Sequence, residues 1–411
     1  MTSMMRMGLA AVAFAVLWGF APPVGGVAQD SKIGVPTFQV DPAWPQLPNG
    51  WKLGVTSSVA VDGNDHVWVL HRPRLTHYPP GPPNGVPMPE GVKLAPPVLE
   101  FDADGKFVQG WGGPGQGFDW PYSEHGLAVD DKNNVWITGN NPFSGTGTRS
   151  RDDMLLKFTS KGKFVLQIGG RDVSKGNQDT TSVKNATDVS VYKNEVFVSD
   201  GYGNRRVVVF DAETGKFLRM WGAFGNVPTD APPRNIGATA PPKGPTPTTP
   251  AFPPNFTPID AFKAAEVGRG PEQFSGTPHN IGVSRDGLVY VSDRGNHRIQ
   301  VFTTQGKYVT QGFVHREGPA RMSTSGIAFS PDPEQRFLYT TSFGAGYIIV
   351  LDRKTMTMRY VFSSRGSNPG ELRAPHDIAV DSKGNLYTAE VDPGNRAQKF
   401  VFRGLSSTTT H

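Results

Sequence analysis

The chain predicts an all-β fold, a six-bladed β-propeller, on three observations. A unit of two alternating strands joined by a polar turn recurs six times. Each unit is followed by a third strand and often by a fourth. The 411 residues include 49 Gly and 37 Pro, a turn-rich composition that suits many short strands better than long helices. Four antiparallel strands per unit with apolar alternation mark a propeller blade. Solenoid repeats are usually shorter and less turn-rich.

The N-terminus comes first in the chain. Arg6 precedes the apolar run Gly8–Phe20, and small residues end at Ala28. This pattern predicts a cleavable secretory signal over residues 1–28, too short and poorly flanked for a membrane anchor. Residues 29–411 then form one propeller domain, expected to be secreted or periplasmic. No other stretch is apolar enough to span a bilayer. The chain has no cysteine, so its stability must come from its core or from bound metals rather than from disulfides. The net charge is +5, and Lys and Arg are scattered without a basic run. Nucleic acid is therefore not an expected partner.

The segment "TFQVDP" (Thr37–Pro42) is placed to supply the outer strand of the last blade, which would close the ring and remove open edges. The units begin with "SSVAVDGNDHVWVLHR" at Ser57 and "HGLAVDDKNNVWITGN" at His125. "TDVSVYKNEVFVSDGYGNRRVVVF" follows at Thr187, and the fourth unit starts at His279. "SGIAFSPDPEQRFLYTTS" starts at Ser325, and the sixth unit at His376. Third strands read "MLLKF" or "RIQVF", and fourth strands "GKFVLQIGG" or "GKFLRMWG". Pro-rich insertions at about 73–97 and 226–258 fall on one face, where they are either rim elaborations or linkers.

The first position of each unit reads Ser57, His125, Thr187, His279, Ser325, His376. Alternate blades of a six-fold ring lie a third of a turn apart, so three imidazoles converge on the axis at one depth. Three His ligands with an open position is the arrangement of a catalytic zinc site. Imidazole also suits copper, iron and nickel. The other six of the nine histidines share no register and are expected at the surface or in loops, with His71 set apart by the arginine after it. The second strands end on the same face. The next residues are Arg72, Asn140, Gly201, Arg294, Phe343 and Val391, with Tyr202 one place further. Two guanidiniums suit recognition of a carboxylate, and a tyrosine beside a metal suits a general base.

The units are similar to NHL repeats. The set "EHGLAVD", "SDGYGNRRVVVF", "PHNIGVSRDGLVYVSDRGNHRIQVF" and "PHDIAVD" resembles the peptidyl-α-hydroxyglycine α-amidating lyase family over about residues 37–402. The resemblance implies a catalytic zinc on His125, His279 and His376, an active-site Tyr202, and arginines at Arg72 and Arg294. It also implies a structural calcium held by the backbone carbonyls of Val59 and Leu127 and the carboxylate of Asp377. The implied activity is cleavage of the N–C bond of a peptidyl-α-hydroxyglycine, or a related α-hydroxy-amide, to an amide and glyoxylate. The substrate would be a small peptide or N-acyl-α-hydroxyglycine, and a monomer is expected. Gly203 stands where the family often has a cysteine, and no copper monooxygenase domain is expected here to make the substrate. Two other classes remain open. A different metal-dependent propeller hydrolase or lactonase would keep the metal without the Tyr–Arg pattern. A non-catalytic NHL binding module would not need three-fold histidines.

Overall fold

Six four-stranded antiparallel sheets dominate the computed structural model, which describes residues 34–73, 91, 93–141, 151–231, 269–316, 318 and 320–406. The six-bladed propeller expected from the repeats is therefore the observed architecture. The inner strands of blades 1 to 6 are Val55–Val61, Glu124–Val129, Asp188–Tyr192, Pro278–Val283, Thr324–Phe329 and Pro375–Val380. Blade 6 takes its outer strand from the start of the described chain. Val35–Asp41 pairs antiparallel with Arg396–Ser406, so the ring closes as the sequence suggested, with the strand beginning two residues earlier. Residues 1–28 and most of both Pro-rich insertions lie outside the described residues. Among those described, no helix is long and apolar enough to cross a membrane.

The core is divided rather than central. Six apolar clusters each join two neighbouring blades, as where Val59, Val69 and Leu99 of blade 1 meet Tyr387 and Ala389 of blade 6. Sheet faces are covered by the next blade, so the second and third strands carry apolar side chains on both faces. The turn after the inner strand is built alike in three blades. Asp62, Asp130 and Asp381 each accept two backbone N–H groups of their own turn. Their second oxygen accepts the Trp68 indole, the Trp136 indole or the Tyr387 hydroxyl. An Asx turn thereby anchors a core aromatic.

Buried ion pairs hold the other end of the second strands. Arg206 meets Asp200 at 2.7 Å and Arg298 meets Asp293 at 2.8 Å, all four side chains fully buried. Each arginine also donates to carbonyls of the preceding inter-blade loop: Asn177 and Ser182 for Arg206, Pro271 for Arg298. Such pairs contribute less to net stability than to fixing one geometry. Here they fix the strand ends just before Tyr202 and Arg294.

Two histidines correct the sequence-based expectation. His71 and His315 are buried, not at the surface. His71 accepts the Gly54 N–H at Nδ1 (3.0 Å) and donates from Nε2 to the Pro96 carbonyl (2.8 Å), which requires the neutral ring. Burial pushes its pKa down to about 4. The unfolded chain then binds a proton that the native state refuses, so stability falls as pH drops from about 6.5 to about 4. This shift corresponds to roughly 3 kcal/mol. The stability difference between wild type and His71→Gln should shrink by about that much between pH 7 and pH 4, measured by urea unfolding. A pH-independent difference would refute it.

Candidate metal centre

The inner strands are irregular where the site is built. Pairing with the second strand slips between Thr56 and Ser58, Glu124 and Leu127, Pro278 and Asn280, Thr324 and Ile327, and Pro375 and Asp377. Each slip is a β-bulge, which re-aims side chains that regular pleating would send elsewhere. His125, His279 and His376 lie in three of these bulges.

The structure brings the three histidines together. All are buried, and their ligand atoms lie within 4.8 Å of one another. Ring centroids are 4.6 Å apart for His125 and His376, 4.5 Å for His279 and His376, and 5.3 Å for His125 and His279. Each Nδ1 faces the next blade. His125 Nδ1 is 2.5 Å from the Thr187 carbonyl, and His376 Nδ1 is 2.6 Å from the Ser57 carbonyl. His279 Nδ1 faces the Ser325 carbonyl at 3.4 Å and its hydroxyl at 3.2 Å. A carbonyl only accepts, so Nδ1 of His125 and His376 carries a proton.

The Nε2 atoms of His279 and His376 are 3.1 Å apart. Two lone pairs at that distance repel unless a proton or a cation lies between them. Nitrogens bound at about 2.0–2.1 Å to one tetrahedral Zn²⁺ lie about 3.3 Å apart, so the residues fit such an ion. Burial holds His125 and His279 well below the usual histidine range. His376 and Arg72 add to this at His125, and Arg294 and His376 at His279. Neutral imidazoles are the ligating form. Carbonyl acceptors of this kind orient the histidines of metal sites.

The expected neighbours surround this cluster. Tyr202 is 5.4 Å from His125 and 6.1 Å from His279 between ring centroids. Its backbone is left-handed (φ 54°), a conformation that non-glycine residues hold mainly at constrained, often functional, positions. Arg294 donates from a terminal nitrogen to the Tyr202 hydroxyl at 3.0 Å. Arg72 is buried. Its Nε donates to the carbonyl of Glu124, just before His125, at 2.7 Å, and a terminal nitrogen reaches Asn140 Oδ1 at 3.4 Å. Phe343 lies between Arg294 (5.7 Å) and His376 (6.3 Å).

Asp377 is bonded through donors of blade 1. Asp377 Oδ2 accepts the Ser58 hydroxyl (2.5 Å) and the Val59 N–H (3.2 Å), and the Leu127 N–H reaches Ser58 Oγ (3.0 Å). Val59 and Leu127 thus reach Asp377 through their backbone N–H groups, directly or by way of Ser58. Burial pushes the Asp377 carboxyl up to about 6. Sequence reasoning missed Asp188, whose buried carboxyl is raised well above its usual range by burial and then by the charge of Asp377. The signal was one column away, in the residues that follow the aligned histidines.

The fold is a six-bladed β-propeller, and residues 276–302 match the NHL repeat model. The chain is 25% identical over 396 residues to peptidyl-alpha-hydroxyglycine alpha-amidating lyase 1 of Drosophila melanogaster, covering 90% of this chain and 61% of that protein. It is 23% identical over 387 residues to NHL repeat-containing protein 3 of Mus musculus, covering 89% and 84%. Among solved structures, virginiamycin B lyase from Staphylococcus aureus is similar, with a TM-score of 0.45 and 14% identity over 91% of this chain and 92% of that one. The chain spans less than two thirds of the Drosophila protein's length.

Ser325 offers a test of the orienting contacts. Its hydroxyl touches His279 Nδ1 and donates to the His376 carbonyl at 3.0 Å. Ser325→Ala should weaken zinc affinity about tenfold with little change in melting temperature, read by chelator competition. Unchanged affinity would remove the hydroxyl from the orienting set.

Proposed function

We propose that the protein is a zinc-dependent lyase that cleaves the N–C bond of an N-acyl- or peptidyl-α-hydroxyglycine, releasing an amide and glyoxylate. The carrying observation is the meeting of three oriented, buried histidines with the Tyr202–Arg294 pair. The similarity to NHL repeat-containing protein 3 is of the same degree as that to the amidating lyase, so overall likeness does not separate an enzyme from a binding module. Three buried imidazoles aimed at one point do favour the enzyme, because a binding surface has no use for them.

His125, His279 and His376 would hold the ion, which when bound supplies Lewis acidity to the substrate's α-hydroxyl. Tyr202 takes the hydroxyl proton, its oxygen held in place by Arg294. The electrons of that O–H bond form the aldehyde C=O of glyoxylate, the C–N bond breaks, and the amide nitrogen takes up a proton. Arg72 and Arg294 provide fixed positive charge for the glycine carboxylate. Arg72 is preset by its bonds to Glu124 and Asn140, so little reorganisation accompanies binding. The N-terminal segment supports export of the enzyme, and sequencing the N-terminus of the processed chain would test that.

The deciding assay is glyoxylate release from an N-acyl-α-hydroxyglycine by the purified chain. Wild type should release glyoxylate, and both His279→Ala and chelated protein should not. Tyr202→Phe should keep its zinc and lose about 10²–10⁴-fold in kcat. A wild-type protein with stoichiometric zinc and no glyoxylate release would overturn the lyase reading.

A further inference from the structure

The turn that anchors a core aromatic is built alike in blades 2 and 6 and differently in blade 1. Asp130 and Asp381 are followed four residues on by Asn134 and Asn385, whose amides donate back to them. The third-strand residues paired with the anchored aromatics are Lys157, opposite Trp136, and Lys399, opposite Tyr387. In blade 1 the same two positions hold His66, four residues after Asp62, and Glu100, opposite Trp68. An imidazole stands in place of an amide donor, and a carboxylate in place of a cation.

The two departures meet in space. One ligand atom from each of Asp62, His66 and Glu100 lies within 4.8 Å of the others. Asp62 and Glu100 are 8% and 6% exposed, whereas the His66 side chain is 32% exposed, so the corner opens to solvent on the histidine's side. Both carboxylates are fixed from behind. Asp62 Oδ1 accepts the Asn64 and His66 N–H groups, and Oδ2 accepts only the Trp68 indole at 3.1 Å, which leaves Oδ2 a lone pair. Glu100 Oε2 accepts the Gln109 amide, and Oε1 lies 2.6 Å from His66 Nδ1. Among the described residues, no lysine or arginine pairs with either carboxylate.

We propose that Asp62, His66 and Glu100 form a second transition-metal site, at the far end of the blade-1 inner strand from Ser57, with Zn²⁺ as its occupant. One imidazole and two carboxylates suit zinc, with water completing the four ligands. Two neighbouring carboxylates of low exposure favour a positive charge between them, and the lysine that blades 2 and 6 carry at the Glu100 position is absent. In the zinc-bound form the imidazole proton sits on Nε2, and Nδ1 gives its lone pair to the ion. The His66–Glu100 contact then opens to about 3.3 Å, the spacing of two ligands on one tetrahedral zinc, a movement open to an exposed ring. The Gln109 amide behind Glu100 and the turn behind Asp62 orient the two acids, as outer partners do in metal sites. The site stands independently of the lyase reading, and its test uses no glyoxylate assay.

The purified chain would be stripped with chelator and titrated with ZnCl₂, with zinc uptake read by elemental analysis and affinity by chelator competition. Wild type should hold one equivalent more than His66→Asn, which installs the residue of blades 2 and 6, whatever the histidine ring holds. His279→Ala should keep that equivalent, and MgCl₂ should not displace it. Glu100→Gln, which keeps the shape of the side chain and removes its charge, should bind the same equivalent about tenfold or more weakly. Equal uptake and affinity in wild type, His66→Asn and Glu100→Gln, all melting cooperatively, would overturn the site and leave His66 and Glu100 a hydrogen-bonded pair. An equivalent lost in His66→Asn but held at full affinity by Glu100→Gln would overturn Glu100 as a ligand.

Discussion

The slip in register at the head of the inner strands is the constraint on which the site depends. Regular pairing alternates side chains strictly, so two consecutive residues cannot serve one channel. The bulge relaxes that rule. In blade 6 it lets His376 approach His279 while its neighbour Asp377 meets Asn280. Blade 3 departs from the pattern. It pairs regularly from Asp188 onward, with Thr187 just ahead and bonded to the Ser199 carbonyl. Its first-ring residue carries no imidazole and offers only a carbonyl to His125.

Charge is layered along the channel. Arg72 and Arg294 lie beside the imidazoles, and the acids Asp188 and Asp377 occupy the next position along the inner strands. Burial and the arginines both oppose protonation of His125 and His279, so the nitrogens stay available as ligands at neutral pH. The same arginines make the mouth favourable to a carboxylate and unfavourable to a cation. The acids sit where an anion entering from that side does not meet them. One short channel thus presents opposite preferences at its two levels.

The repeat period and the alternation within each unit made the six blades legible in the sequence, because a strand's periodicity survives without knowledge of its neighbours. The three histidines were legible for a related reason: once blades are aligned, residues at one position share one depth. Tyr202, Arg72 and Arg294 followed from strand direction. What stayed hidden depends on backbone atoms or on packing. The Thr187, Ser57 and Ser325 carbonyls that orient the rings carry no side-chain signature, and the aligned Ser and Thr positions gave no hint of it. His71 and His315 carry no local pattern that announces their burial, which comes from partners distant in sequence. Asp188 and Asn280 were visible as residues but not as a set, since nothing local links a blade-3 acid to one in blade 6.

The site also lies across the seam of the ring. His376 and Asp377 belong to blade 6, whose outer strand comes from Val35–Asp41, and their partners Ser57 and Ser58 belong to blade 1. The same junction is joined at its other end by Ser382 bonding Asp65 and along its length by a shared apolar cluster. Opening the ring there would pull His376 away from its orienting carbonyl and Asp377 away from its donors at once. An ion held by the three histidines would bind only the closed ring, and by linkage it would stabilise closure by the free energy of its own binding. In a chain without disulfides, the clustered histidines thus stand at the junction that closes the fold. The first and last strands of the propeller and its histidine cluster are parts of one closure.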